Sequence, residues 1–161
     1  MKNFNDIYNQ NYRKIYGVAC NMLHDSDDAR DVIQDIFIYL HKVLKKGKII
    51  EKPPNWLMRV TINRCIDLLN NRKKFCTEEH IPIVVTEEKI LEKKQDREIL
   101  KEALKQLNPK ERALATLYGE GASYKEMAEI TGIKFTSIGG TLSRTLKKLN
   151  EILKTLHYDL H

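Results

Sequence analysis

A chain of 161 residues can form one ordinary domain or two small ones. Hydrophobic residues make up 42% and charged residues 31%, which excludes a disordered chain, and the formal charge of +6 with a pI near 9.1 suits an acidic partner such as nucleic acid. The chain opens on no apolar signal core, no apolar run reaches membrane-spanning length, and Cys20, Cys65 and Cys76 lack paired CxxC spacing; the expectation is a reducing, cytoplasmic protein without disulfides or membrane insertion.

From Phe4 to about Lys74 the pattern is helical almost throughout. Ile7, Tyr8, Tyr12, Ile15, Ala19 and Leu23 recur at three- and four-residue spacing, one apolar face of a helix. Asp25 or Ser26 can cap a second helix, whose apolar stripe runs Ala29, Ile33, Ile36, Phe37, Leu40, Leu44. "KKGKIIEKPP", Lys45 to Pro54, breaks the pattern with a glycine and two prolines before a third helix from about Asn55 to Arg72. The stretch "FCTEEHIPIVVTEEK" has no helical period and reads as a linker, although "IPIVV" also has the composition of a short strand.

From Gln95 onward the chain is helical again and heavily punctuated. "NPKE" supplies Asn108 as N-cap, Pro109 at the first helical position and Glu111 to complete a capping box. "SYKE" repeats the device with Ser123 and Glu126, after Gly119 and Gly121 have stopped the preceding helix. "TGIK" ends that short helix. The last helix carries Ile138, Leu142, Leu146, Leu149, Leu153 and Leu156 as an apolar seam. Two short helices joined by a glycine turn and followed by a longer basic helix, with Lys134, Arg144, Lys147 and Lys148, make a helix-turn-helix; a plain helical bundle would have a similar core.

Other chemistry finds little support. Cys20 and His24 are spaced i, i+4, and Cys76 and His80 repeat the spacing, but two distant half-sites are not the compact four-ligand set of structural zinc. Neither a GxxxxGK[ST] phosphate loop nor a GxSxG nucleophile motif is present. The expectation is a protein with no catalytic residue, metal or cofactor.

Three segments, in order and spacing, resemble the extracytoplasmic-function sigma factors, the small two-domain class of bacterial sigma factors. "DDARDVIQDIFIYL" looks like that family's core-polymerase-binding helix, and "WLMRVTINRCIDLLNNRKK" like its promoter −10 helix. "LKQLNPKERALATLYGEGASYKEMAEITGI" is similar to its C-terminal helix-turn-helix domain. The resemblance implies an all-α protein of two small helical domains: residues 1–75 for core polymerase and the −10 element, a flexible linker over 76–95, and residues 96–161 for the −35 element. It further implies core RNA polymerase, promoter DNA and an anti-sigma factor as partners. An autonomous helix-turn-helix regulator, or a polymerase-binding mimic without promoter reading, are the alternatives.

The residues give each surface a physical reading of its own. On the second helix Asp31, Gln34, Asp35 and Ile38 lie opposite the core; the isoleucine can supply a desolvated contact centre among carboxylates, or the face can be simply solvated. On the third helix Arg59, Asn63, Asp67 and Asn70 form one stripe, with side chains able to bond base edges. Lys48, Asn55, Trp56 and Arg72 complete the −10 set that the resemblance implies, Lys48 on a basic loop and Trp56 either as a stacking platform or as packing between helices. Glu78, Glu79, Glu87 and Glu88 make the linker ends acidic, suited to a basic polymerase channel or to plain solubility.

The expected −35 set is Lys134, Thr136, Ser137, Gly140, Thr141, Arg144 and Lys148. Within it, "FTSIGG" departs from the family, which usually has a serine or threonine cap where Lys134 sits. Lysine cannot accept the amide bonds a cap must accept, so Thr136 is expected to cap instead. That placement would put Gly139 and Gly140 at the third and fourth helical positions, where free amides could meet a phosphate.

Overall fold

The structure, a computed structural model, describes residues 3–75 and 92–159. Its first three helices are α1 (Phe4–Leu23), α2 (Ser26–Lys45) and α3 (Pro53–Phe75). The C-terminal group comprises α4 (Glu92–Lys105), α5 (Pro109–Gly119), α6 (Tyr124–Thr131) and α7 (Phe135–Asp159). No strand occurs among the described residues. The "IPIVV" segment, Cys76 and His80 lie outside them.

Side-chain chemistry at the ends sets the helix limits. Asn3 accepts the amide of Asp6 at the start of α1, and Asp25 rather than Ser26 caps α2, accepting the amides of Asp27 and Asp28 at 2.9 Å each. The capping box at α5 is complete: Asn108 accepts from the Glu111 amide at 2.8 Å, and Glu111 accepts from the Asn108 amide at 3.0 Å. At α6, Ser123 accepts the Glu126 amide, but its hydroxyl donates to the Glu126 carboxylate at 3.1 Å in place of the return bond to backbone. Gly132 ends α6 at φ 75°, a left-handed conformation that suits a residue without Cβ.

Three boundaries differ from the sequence reading. α3 begins at Pro53, two residues ahead of Asn55, because proline is tolerated in a first turn whose amides have no partner. α4 begins at Glu92 rather than near Gln95, taking four residues from the expected linker. α7 begins at Phe135, so Thr136 is not its cap: Lys134 occupies the position before the helix, and its carbonyl accepts the Ser137 amide at 2.8 Å. A backbone carbonyl performs this closure whatever the side chain.

The core is apolar and continuous across both groups. Ile7, Ile15 and Met22 of α1 pack with Ile33 and Leu40 of α2 and Leu57 and Ile62 of α3, all under 3% exposed. Leu114 and Leu117 of α5, Met127 of α6 and Ile138 and Leu142 of α7 continue the same cluster. Contacts of α1 with α4 and α5, and of α3 with α5 and α6, join the two groups. Burying an aliphatic side chain of this kind contributes roughly 1.5–3 kcal/mol. Farther along α7, Leu146, Leu149, Leu153 and Leu156 are half-buried, so the apolar seam is closed only at its N-terminal end.

Candidate nucleic-acid interface

The α2 face opposite the core carries Asp31, Gln34, Asp35 and Ile38, all exposed, with Ile38 at 48%. Core packing at Val32, Ile33, Ile36 and Phe37 turns these four outward together. Asp35 stands 3.9 Å from Arg64 of α3, a loose exposed pair that leaves the carboxylate available. Next to this face lies a groove floored by Tyr8, Tyr12 and Phe37, with the Tyr8 and Phe37 ring centroids 4.7 Å apart.

The second surface is built on α3 and the loop before it. Lys48, Asn55, Arg59, Asp67 and Asn70 are exposed, while Asn63 is half-buried. Trp56 is also half-buried and stacks on Tyr39 of α2, with centroids 5.6 Å apart and planes 20° from parallel. It therefore packs the α2–α3 junction and remains partly exposed. The 52%-exposed Tyr39 was missed by the sequence reading. Its place outside the stripe of Ile36, Phe37 and Leu40 signals exposure, but its pairing with Trp56 needs the three-dimensional crossing of two helices. Arg72 stands apart from the others, bonded to Asp28 at 2.6 Å across α3 and α2.

A cleft of about 400 Å³ runs along this surface. One wall holds Lys48, Glu51, Lys52, Asn55 and Arg59, and the other is α6, with Glu126, Glu129 and Ile130.

The third surface is the first half of α7. Lys134, Thr136, Ser137, Gly140 and Arg144 are exposed and Thr141 is half-buried. Arg144 donates to the Thr141 hydroxyl at 3.3 Å. Lys148 is turned away, bonded at 3.0 Å to the same Glu111 carboxylate oxygen that completes the α5 capping box. Gly139 and Gly140 are the fifth and sixth residues of α7, beyond the four amides that a helix leaves unpartnered, so an amide-to-phosphate role for them is not supported. Tyr124 and Phe135, exposed by 48% and 61%, flank this surface and went unremarked in the sequence. The Tyr124 ring lies over Gly139: a Cβ there would sit 3.5 Å from its Cε2.

Two buried polar groups mark where the helix groups meet. Arg112 is 8% exposed and donates through Nε to the Leu104 carbonyl at 2.9 Å and through Nη2 to those of Lys105 and Leu107 at 3.1 and 3.3 Å. Its Nη1 donates to the Met22 carbonyl in the last turn of α1. The guanidinium thus caps α4 and α1 together. His24, the left-handed cap of α1 at φ 57°, holds both ring nitrogens buried without a hydrogen-bond partner. Burial, and then Arg112, Lys105 and Lys101, push its pKa down to about 3, so the ring is neutral. Burial also pushes the Cys65 thiol up to about 12, which makes it inert near neutral pH. Cys20 and His24 gain no further ligand: no group of three His, Cys, Asp or Glu side chains placed for a metal occurs among the described residues. No helix among them is long and apolar enough to cross a membrane.

Residues 7–75 match the Sigma-70 region 2 family and residues 97–149 match Sigma-70, region 4. The chain is 25% identical over 157 residues to RNA polymerase sigma factor SigZ of Bacillus subtilis, spanning 94% of this chain and 88% of that one. It is 22% identical over 158 residues to ECF RNA polymerase sigma factor SigM of Mycobacterium tuberculosis, spanning 96% and 79%. Among solved structures, the sigma factor RpoE in complex with the anti-sigma factor NepR, from Bartonella quintana, shares the fold with a TM-score of 0.68 at 23% identity, over 88% of this chain and 91% of that one.

Proposed function

The chain belongs to the extracytoplasmic-function group of the sigma-70 family, and from that premise we propose how its three surfaces divide the work of an alternative sigma factor. As a family member it binds core RNA polymerase and directs it to promoters, and it is not an enzyme. The assignment to residues is ours. Residues 1–75 dock on core polymerase through Asp31, Gln34, Asp35 and Ile38 and take the melted −10 strand on Lys48, Asn55, Trp56, Arg59, Asn63, Asp67 and Asn70. Residues 96–161 hold the −35 duplex through Lys134, Thr136, Ser137, Gly140, Thr141 and Arg144. The ion pairs of Arg72 and Lys148 make these two structural first, each released only if DNA phosphate competes with its carboxylate.

The observation that carries this reading is the half-exposed Ile38 ringed by Asp31, Gln34 and Asp35. An autonomous helix-turn-helix regulator has no use for such a face, whereas a partner-docking surface needs an apolar centre with a polar rim. Joining two weak DNA sites on one polymerase-held chain raises their combined affinity through effective concentration. The cytoplasm is the compartment such work requires, and an anti-sigma partner is consistent with the complex formed by the RpoE relative.

The test adds the full chain to sigma-free core polymerase and assays initiation at promoters upstream of its own gene. Specific transcripts support the reading, and Ile38→Asp, which puts a charge at the contact centre, is expected to weaken core binding at least tenfold. DNA binding without core binding would identify an autonomous regulator. Core binding without initiation would identify a sigma mimic.

A further inference from the structure

Two aromatic rings at the start of the helix-turn-helix stand in solvent. Phe135, the first residue of α7, is 61% exposed, and Tyr124, the first residue of α6, is 48% exposed. Among the described residues of the C-terminal group, Phe135 is the most exposed large hydrophobic side chain. The core contacts of α7 are made elsewhere on the helix, by Ile138, Leu142 and Thr145, each at most 3% exposed. A ring left in water forgoes one of the largest hydrophobic gains a side chain can make.

The two rings share one edge of α7. Phe135 and Gly139 lie one turn apart on the same side of the helix, and the Tyr124 ring covers Gly139, its Cε2 3.5 Å from where a Cβ would be. α6 thus lends a ring where α7 has no side chain of its own. Around this edge Lys134, Thr136, Ser137 and Arg144 are exposed hydrogen-bond donors. The Arg144 guanidinium lies back over Gly140, bonded to the Thr141 hydroxyl at 3.3 Å. The α6 carboxylates Glu126 and Glu129 line the cleft toward α3 instead. An apolar edge continuous with a cationic, hydroxyl-bearing surface suits a polyanion that carries apolar groups between its charges. A helix-turn-helix sets the N-terminal residues of its second helix against base edges in the major groove. There only thymine presents an apolar group, the C5-methyl, which apolar side chains such as phenylalanine read by contact.

We propose that Phe135, together with the Tyr124 ring seated on Gly139, reads thymine methyl groups in the −35 duplex. The proposal rests on the reading of α7 as the −35 surface and goes beyond it by naming the base and the atoms read. Lys134 and Arg144 hold the helix on the duplex, while the rings distinguish thymine from cytosine, which presents an amine donor and no methyl. Covering the methyl takes one carbon of the base and one face of a ring out of water together.

The test uses the full chain and a fluorescent duplex spanning the −35 region of the promoter upstream of its own gene, with each thymine replaced in turn by deoxyuridine. Uracil pairs as thymine does and lacks only the methyl. At one or two positions the replacement should weaken binding of the parent chain about fourfold, the size that burial of one carbon allows. Phe135→Ala and Tyr124→Ala should each weaken binding to the thymine duplex by about the same factor and abolish discrimination at the position that ring reads. Phe135→Leu, which keeps an apolar side chain, should preserve the discrimination. Equal binding of thymine and uracil duplexes at every position overturns the proposal, as does a uracil effect that persists in both alanine variants. Loss of core-polymerase binding by Phe135→Ala, with duplex affinity and discrimination unchanged, assigns the ring to a protein partner and overturns it too. If Lys134→Ala/Arg144→Ala also leaves duplex affinity unchanged, the failure belongs to the −35 reading instead.

Discussion

Replacing Gly139 and Gly140 with alanine should stabilise the C-terminal helices. Both glycines lie inside α7, at its fifth and sixth residues, where the helix is closed and glycine is less favourable than alanine by roughly 1 kcal/mol each. Neither has a positive φ, so neither is held by a conformation that alanine would resist. The added Cβ at 139 would meet Tyr124 Cε2 at 3.5 Å, and that at 140 would meet Arg144 Nη1 at 3.5 Å, both ordinary van der Waals contacts. Nothing opposes the propensity gain, and the double variant should gain about 1.5–2 kcal/mol. For a chain of this size that is a rise in Tm of about 3–8 °C.

Thermal unfolding followed by circular dichroism reads the stability, and fluorescence anisotropy with a duplex containing the −35 element reads DNA binding. If the glycines serve only to seat the Tyr124 ring and leave the groove face low, −35 affinity should change less than threefold while Tm rises. A fall in Tm would refute the geometry, because it would mean that α7 does not run uninterrupted from Phe135. A rise in Tm with a loss of affinity beyond tenfold would refute the stability-only account and restore a close approach of DNA to the glycine step.

The remaining predictions concern the join between the helix groups. Arg112→Ala leaves the carbonyls of Leu104, Lys105, Leu107 and Met22 without their shared donor, and should destabilise the chain by about 3 kcal/mol in urea unfolding. Arg112→Lys should recover only part of this, since an ammonium cannot span the carbonyls that the fork-shaped guanidinium reaches. His24 is kept neutral in the folded chain with its pKa near 3, and it regains an ordinary value near 6.5 when released. The released state therefore binds more protons, so stability is unaffected above pH 6.5 and falls as pH drops from there toward 3. With the ring only partly enclosed, solvent screening reduces the effect to roughly 1 kcal/mol between pH 7 and 5. His24→Asn, which tolerates the left-handed cap, should flatten that pH dependence in urea titrations.

Helix type and order were legible because they are local. The capping box of Asn108 and Glu111 and the Gly132 stop are written within four residues of the ends they set, the α2 cap was narrowed to Asp25 or Ser26, and the apolar stripe of α2 names its own buried face. Thr136 misled because side-chain capping is only one way to close a first turn. The Lys134 carbonyl does it through backbone alone, which no residue type announces. The three proposed surfaces were legible as lists of exposed side chains, but not their internal ties. Arg72 to Asp28 spans 44 positions and Lys148 to Glu111 spans 37, and in each case the partner belongs to another helix. Tyr39 against Trp56 was hidden for the same reason.

The least legible feature was the relation between the two helix groups. Composition presents Glu126 and Glu129 as solvated charge on a short helix, and Arg112 as one more basic residue in a chain of net charge +6. In the fold the arginine is a buried donor to two helix ends, and the carboxylates line a cleft whose other wall carries Lys48, Glu51, Lys52 and Arg59.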